Sequence, residues 1–150
     1  MTLHRFNGDE IYSVQSATIK QHQTENGLFA VTFHAETAWP PIKMLADTES
    51  LHGKPTIEVT VHVDKSAALI LKAGATFAPS KGDDESTREY HADFYFREHE
   101  AMDESEIEVL GREGLKVQIS ILGTVTDVHH YDGSKPRTKV AMIADFTLIL

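Results

Sequence analysis

The sequence predicts a mainly β domain: an antiparallel barrel or sandwich of about seven strands with one or two short helices. Two observations carry that expectation. Apolar and polar residues alternate with period two along several segments, which places them on opposite faces of strands. Turn-forming residues separate those segments at regular intervals. The chain has 150 residues, which fits one domain, residues 1–150, at the usual domain size of roughly 100–200 residues.

Ile11–Lys20 is rich in β-formers, with Tyr12, Val14, Thr18 and Ile19. Thr24-Glu25-Asn26-Gly27 reads as a turn, because Asn and Gly tolerate positive φ. Leu28–Thr37 returns, with Phe29, Val31, Phe33 and Ala35 on one face. Trp39-Pro40-Pro41 ends that strand, since proline lacks the ladder donor. Ile42–Leu51 reads as a short helix or a loop, followed by Gly53 and Pro55.

Thr56–Val63 is the clearest strand. Ile57, Val59, Val61 and Val63 point one way, and Glu58, Thr60 and His62 the other. Asp64 or Ser66 would cap a helix over Ala67–Ala73, stopped by Gly74. Pro79–Ser86 reads as a polar loop. Thr87–Glu98 alternates again, with Tyr90, Ala92, Phe94 and Phe96 inward and His91, Asp93, Tyr95 and Arg97 outward. His99–Ser105 is an acidic connector. Glu106–Leu110 is a short strand, and Gly111-Arg112-Glu113-Gly114 a hairpin loop. Leu115–His130 is a long strand, Asp132-Gly133 and Pro136 mark a turn, and Arg137–Leu150 returns.

The last two strands lose the alternation. Ile119-Ser120-Ile121-Leu122, Val140–Ile143 and Phe146–Leu150 are apolar on both faces. Such strands are usually covered on both faces. One or two short helices hide little surface, so a second copy of the chain is the expected cover. Ile119, Ile121, Phe146 and Leu148 are the candidate interface residues of a homo-oligomer.

The composition narrows function mostly by exclusion. There are 14 Lys and Arg against 23 Asp and Glu, for a net charge of −9. Phosphate neutralisation needs clustered basic residues, so no nucleic-acid role is expected. The charge is concentrated: Asp83–Glu108 holds 11 acidic residues against Arg88 and Arg97. That segment reads as a solvated acidic face, or as a dock for a basic protein partner. The absence of cysteine excludes thiolate chemistry and disulfides. Met1–Glu10 is polar, with no apolar run of signal-peptide length, and no stretch reaches membrane-span length, since Val140–Leu150 is too short and is interrupted by Asp145, which makes a cytoplasmic protein without membrane association the expectation. Glycine-rich phosphate turns, a P-loop, His-Glu-x-x-His and Gly-x-Ser-x-Gly are all missing.

The positive signal is histidine, with nine in the chain. His34-Ala35-Glu36, His62-Val63-Asp64 and His91-Ala92-Asp93 each place an imidazole and a carboxylate two residues apart, on one strand face. These are ligand types for a divalent ion such as Zn, Mn or Fe(II). If the strands were neighbours, His34, His62, His91 and Asp93 would make a metal site. The competing reading is a polar outer face, since each pair lies opposite the apolar residues. The direction of that face separates the two, because a barrel that turned it inward could enclose a ligand. His129-His130 reads as part of a surface turn. Trp39, beside two prolines, is a candidate for a binding pocket or interface, against a cover on the core.

Three functional classes follow. The first is a non-enzymatic binding or assembly domain working as a homo-oligomer. The second is a small-molecule or metal-dependent enzyme with a His/carboxylate site. The third is an acidic protein that docks on or inhibits a basic partner.

Overall fold

The computed structural model describes residues 1–79, 83–84 and 89–150. The strands are β1 (Thr2–Arg5), β2 (Gly8–Ile11), β3 (Val14–Gln23), β4 (Phe29–Thr37), β5 (Thr56–Val63), β6 (Thr76–Phe77), β7 (Asp83–Asp84), β8 (Glu89–Tyr90), β9 (Ala92–Phe96), β10 (Glu98–Ala101), β11 (Asp103–Glu113), β12 (Lys116–Val125) and β13 (Thr138–Leu148). A four-residue helix, α1 (Ala67–Ile70), and a 3-10 turn at Glu49–Leu51 complete the described elements.

The main sheet runs in the order β10-β9-β5-β4-β3-β13-β12-β11-β6, with the β1–β2 hairpin attached along β13. It is a curled open sheet of nine strands, a half-barrel. The expected closed barrel or sandwich of seven strands is therefore corrected. Pairing is antiparallel except where Thr147 and Leu148 of β13 meet Thr18 and Ile19 of β3. β13 divides its length: its first half pairs with β1 at Val140 and Ala141, and its last residues pair with β3. β10, at one end of the sheet, is also joined covalently to β11, next to last at the other, because only Met102 separates them. The buried Met102 side chain packs over Gly123, where a Cβ would collide with it.

One apolar core fills the inside of the curl. Phe33, Ile57, Phe94, Phe96, Ile107, Ile119, Ile121 and Phe146 are all buried there. β5 occupies the segment read from its alternation, Thr56–Val63. Gly27, at φ +84°, turns β3 into β4 as the Asn-Gly signal implied. Other boundaries move. The expected strand through His130 stops at Val125, and the β11–β12 turn is confined to Gly114-Leu115, overlapping only the last residue of the loop assigned to it, because β11 runs on to Glu113. The acidic connector contains a strand, β10. Tyr90, expected inside, is exposed. Much of the polar loop and the start of the next strand, residues 80–82 and 85–88, lie outside the described residues.

Helical structure is shorter than expected. α1 stops at Ile70, and Ile42–Leu51 contains only the 3-10 turn. Ser66 occupies the cap position of α1 without a side-chain capping bond. The Ala67 N–H is satisfied instead by Gln21 Oε1 of β3, at 2.7 Å.

The four candidate interface residues require a second correction. Ile119, Ile121, Phe146 and Leu148 are buried by this chain's own core. Strand pleating sends their neighbours outward instead, and Leu122 and Ile143 are 47% and 64% exposed. The doubly apolar pattern reflects one face in the core and one face open to solvent.

A buried ionic clasp fastens the β1–β2 hairpin to the rest. Arg5 alternates inward with Leu3, and its guanidinium uses all five N–H donors. Nε and one terminal nitrogen reach both oxygens of Asp127 at 2.7 and 2.8 Å. Two bonds of 2.8 Å reach both oxygens of Asp47, and one of 2.9 Å reaches Glu10. Tyr12 and Thr48 hydroxyls donate to Glu10. Thr138 donates to Asp127, which also meets His130 Nδ1 at 2.9 Å. The clasp thus joins β1, β2, the loop after β4 and the β12–β13 connection.

Candidate binding pocket on the outer face

The polar residues of β4, β5, β9 and β10 face away from the apolar core. Register places them in two rows. His34 pairs with Glu58, and Glu58 with Asp93, across β4, β5 and β9. Thr56 pairs with Tyr95, and Tyr95 with His99, across β5, β9 and β10. These six residues and Tyr90 line a pocket of about 630 Å³. No lysine or arginine is among them.

The hydrogen bonds within the pocket are specific. His34 lies between two carboxylates, with Nδ1 3.1 Å from Glu58 Oε2 and Nε2 3.2 Å from Glu36 Oε1. His99 Nδ1 lies 2.8 Å from Asp93 Oδ2. The Tyr95 and His99 rings pack at a centroid separation of 4.8 Å. Asp93 is held on one oxygen only. Its Oδ1 is buried and has no hydrogen-bond partner among the described residues. A buried acceptor without a donor costs roughly 1–3 kcal/mol, and among the described residues this is the buried side-chain polar atom left without a partner.

The expected metal ligands divide into two places. His34 and Asp93 line the pocket, each bound to a different partner. His62 stands on β5 four residues beyond Glu58, about 13 Å along the strand, and packs edge-on against His91 at 5.6 Å. Among the described residues, no three histidine or carboxylate side chains are placed to hold a metal ion. The expected four-residue metal site is corrected accordingly. Both nitrogens of His34 are committed to carboxylates, and Asp93 turns to His99 rather than to His91. Of the three His-x-acid pairs, His34–Glu36 forms a direct bond. The histidine-bearing face points outward, the arrangement that competed with a ligand-enclosing interior.

Trp39 is 44% exposed and packs on His52 with centroids 5.5 Å apart. It is not part of the pocket wall. His130 departs from a plain surface turn, since its ring is bound to the clasp through Asp127. Of the acidic segment, Glu85 and Arg88 lie outside the described residues. Glu98, Asp103, Glu104, Glu106 and Glu108 are exposed.

Sequence reasoning missed Glu58, Thr56, Tyr95 and His99 as partners of His34 and Asp93. The available signal was cross-strand register. Once β4, β5 and β9 are neighbours, the outward residue of each strand faces its counterpart on the next. Comparison with protein-family models, with curated proteins and with solved structures finds no match.

Proposed function

We propose that this chain is a non-enzymatic binding domain whose recognition site is the outer-face pocket. The carrying observation is Asp93, which lines a pocket of about 630 Å³ and whose buried Oδ1 has no donor among the described residues. Such a group is satisfied by a ligand that brings a donor. The surrounding groups are arranged for contact: two tyrosines offer aromatic surface, and Glu58 and His99 are held in place by hydrogen bonds. Pockets with a few convergent polar groups and aromatic walls are the usual form of a small-ligand site.

The test is a fragment screen against the isotope-labelled full chain, read by amide chemical shifts. Ligands are expected to move Thr56, Glu58, Asp93, Tyr95 and His99 together and to be recovered unchanged. A screen in which no compound moves these amides would overturn the reading.

The Asp93–His99 pair favours a second reading. A carboxylate on Nδ1 orients an imidazole and leaves Nε2 as a base, as in acid–base enzymes. Chemical conversion of a bound fragment, lost in His99→Gln, would select the enzyme over the binding domain. Self-association remains part of the proposal, through Leu122 and Ile143 rather than the buried residues first expected. Light scattering on Ile143→Glu, compared with the unmodified chain, tests it.

A further inference from the structure

We propose that the ligand of this pocket carries a cationic nitrogen, an ammonium or guanidinium group, that donates to Asp93 Oδ1. This rests on the pocket being the binding site, and it adds the chemistry of what binds there.

The donor requirement comes from Asp93 itself. Oδ2 is occupied by His99, and Oδ1 is buried and without a partner among the described residues. An ionised carboxylate is an acceptor only, so the complementary group must carry N–H or O–H. The charge requirement comes from the neighbours. Glu58 stands directly opposite Asp93 in the β5–β9 register. Among the described residues, the wall contains no lysine or arginine to offset these carboxylates. His34 is already placed between Glu58 and Glu36, and His99 is placed on Asp93, so neither ring nitrogen facing a carboxylate is directed at Oδ1. An anion would meet two carboxylates whose histidine partners are already bonded to them, and a neutral donor would bring no charge opposite them.

The aromatic walls add a second, independent preference. Tyr90 and Tyr95 line the pocket, and aromatic faces attract ammonium and guanidinium groups within about 6 Å. The chain's net charge of −9 draws cations toward the surface before contact is made. Ammonium and guanidinium groups arrive from two sources, a free polyamine or a lysine or arginine side chain of a protein. The pocket chemistry is the same for both.

The experiment titrates the labelled full chain with spermidine, N-acetyl-arginine amide and a short arginine-containing peptide. N-acetyl-glutamine amide and N-acetyl-glutamate amide serve as neutral and acidic controls. The cationic probes are expected to shift Thr56, Asp93, Tyr95 and His99, and to bind more weakly as salt is raised. Asp93→Asn is expected to weaken them at least about tenfold, as the loss of a charge-assisted hydrogen bond implies. Its melting profile checks that the fold is intact, and Tyr95→Leu, which leaves both carboxylates in place, gives an independent weakening. Glu108→Gln, an exposed acid on β11, is expected to leave binding unchanged. Tighter binding of the peptide than of spermidine identifies a protein side chain as the source, and the reverse order a free amine. Cations that bind equally well to Asp93→Asn overturn the inference. Shifts produced by the neutral or acidic controls but not by the cations also overturn it, while leaving the pocket as the binding site. If no probe of any charge shifts these amides, the pocket reading falls with it.

Discussion

The molecule surrounds basic groups with carboxylates in two places, and it treats them differently. In the clasp, Arg5 is sealed from solvent, with all five of its donors used. In the outer pocket, His34, Glu58, Asp93 and His99 lie on an open face, and the buried Oδ1 of Asp93 has no donor among the described residues. The first arrangement is complete within the chain, and the second is complete only with something added. A satisfied buried network rigidifies the structure around it. An unsatisfied group at a cavity is a group available to a ligand.

The sharpest way to break this contrast is to remove the centre of the clasp. Arg5→Ala leaves Glu10 and Asp127 buried beside Asp47 with no counter-charge. Truncating one partner of a buried ion network typically costs about 3–5 kcal/mol. Urea unfolding is expected to show a loss of that size, with the β1–β2 hairpin detached from β13 in amide exchange. Arg5→Lys keeps the charge but cannot engage two carboxylates in bidentate fashion, so it should recover only part of the loss. A cost below about 1 kcal/mol for Arg5→Ala would remove the clasp from the account of stability.

Acid provides the next largest effect. Burial alone would raise the Asp127 carboxyl, but hydrogen bonds from Arg5, His130 and Thr138 and the charge of Arg5 outweigh it, holding the carboxyl far below the ordinary range. The Asp47 carboxyl is also lowered, chiefly by its hydrogen bonds from Arg5. Carboxyls depressed in the folded state stabilise it fully above their unfolded value near 3.9. That stability is lost as pH falls through the folded values, at about 1.4 kcal/mol per unit of depression. Urea midpoints between pH 5 and pH 2 are expected to fall steeply, and much less so in Arg5→Lys. At the other extreme, burial and the bond to Glu10 push the Tyr12 hydroxyl up. Its contribution is present below the unfolded value near 10 and is lost as pH rises beyond it.

The two regions were also unequally legible in the sequence. Alternation located β5 to the residue and set the outward direction of His34, Glu58 and Asp93, because side-chain direction on a strand is a local property. It could not say which strands were neighbours, so Asp93 was matched with His91 rather than His99. The clasp left almost no signal. Alternation alone would place Arg5 inside with Leu3, but its partners lie 5, 42 and 122 residues away. The β1–β2 hairpin passed unread although Asn7-Gly8 is turn chemistry, because four-residue strands carry too few alternations. The half-barrel was likewise hidden, since the division of β13 between β1 and β3 is a matter of long-range register.

A smaller effect of opposite sign is expected in the pocket. Asp93→Asn removes the charge behind the unpartnered Oδ1 and leaves the shape. Stability is expected to stay level or rise by up to about 1 kcal/mol, because Oδ1 has no donor among the described residues and the amide oxygen of Asn keeps an acceptor for His99. Thermal melting of the variant checks this. A loss above about 2 kcal/mol would show that Asp93 acts as a structural residue, like those of the clasp.

Glu36→Gln is the mildest change and separates the two regions by salt. The His34–Glu36 contact, at 3.2 Å, joins side chains that are 32% and 45% exposed. Pairs in such positions contribute about 0.5 kcal/mol or less, because water screens the charges and both side chains lose freedom in meeting. His34 also keeps its bond to Glu58 in the variant. The expected destabilisation is therefore below about 0.5 kcal/mol in dilute buffer, and it should vanish near 1 M salt, where the screening length falls to about 3 Å. The Arg5→Ala loss should persist at that salt, since ions cannot enter a site whose side chains are sealed. A Glu36→Gln cost that survived high salt would mean the outer row is built as the clasp is, as a fixed part of the fold, and the reason to regard it as a binding surface would be gone.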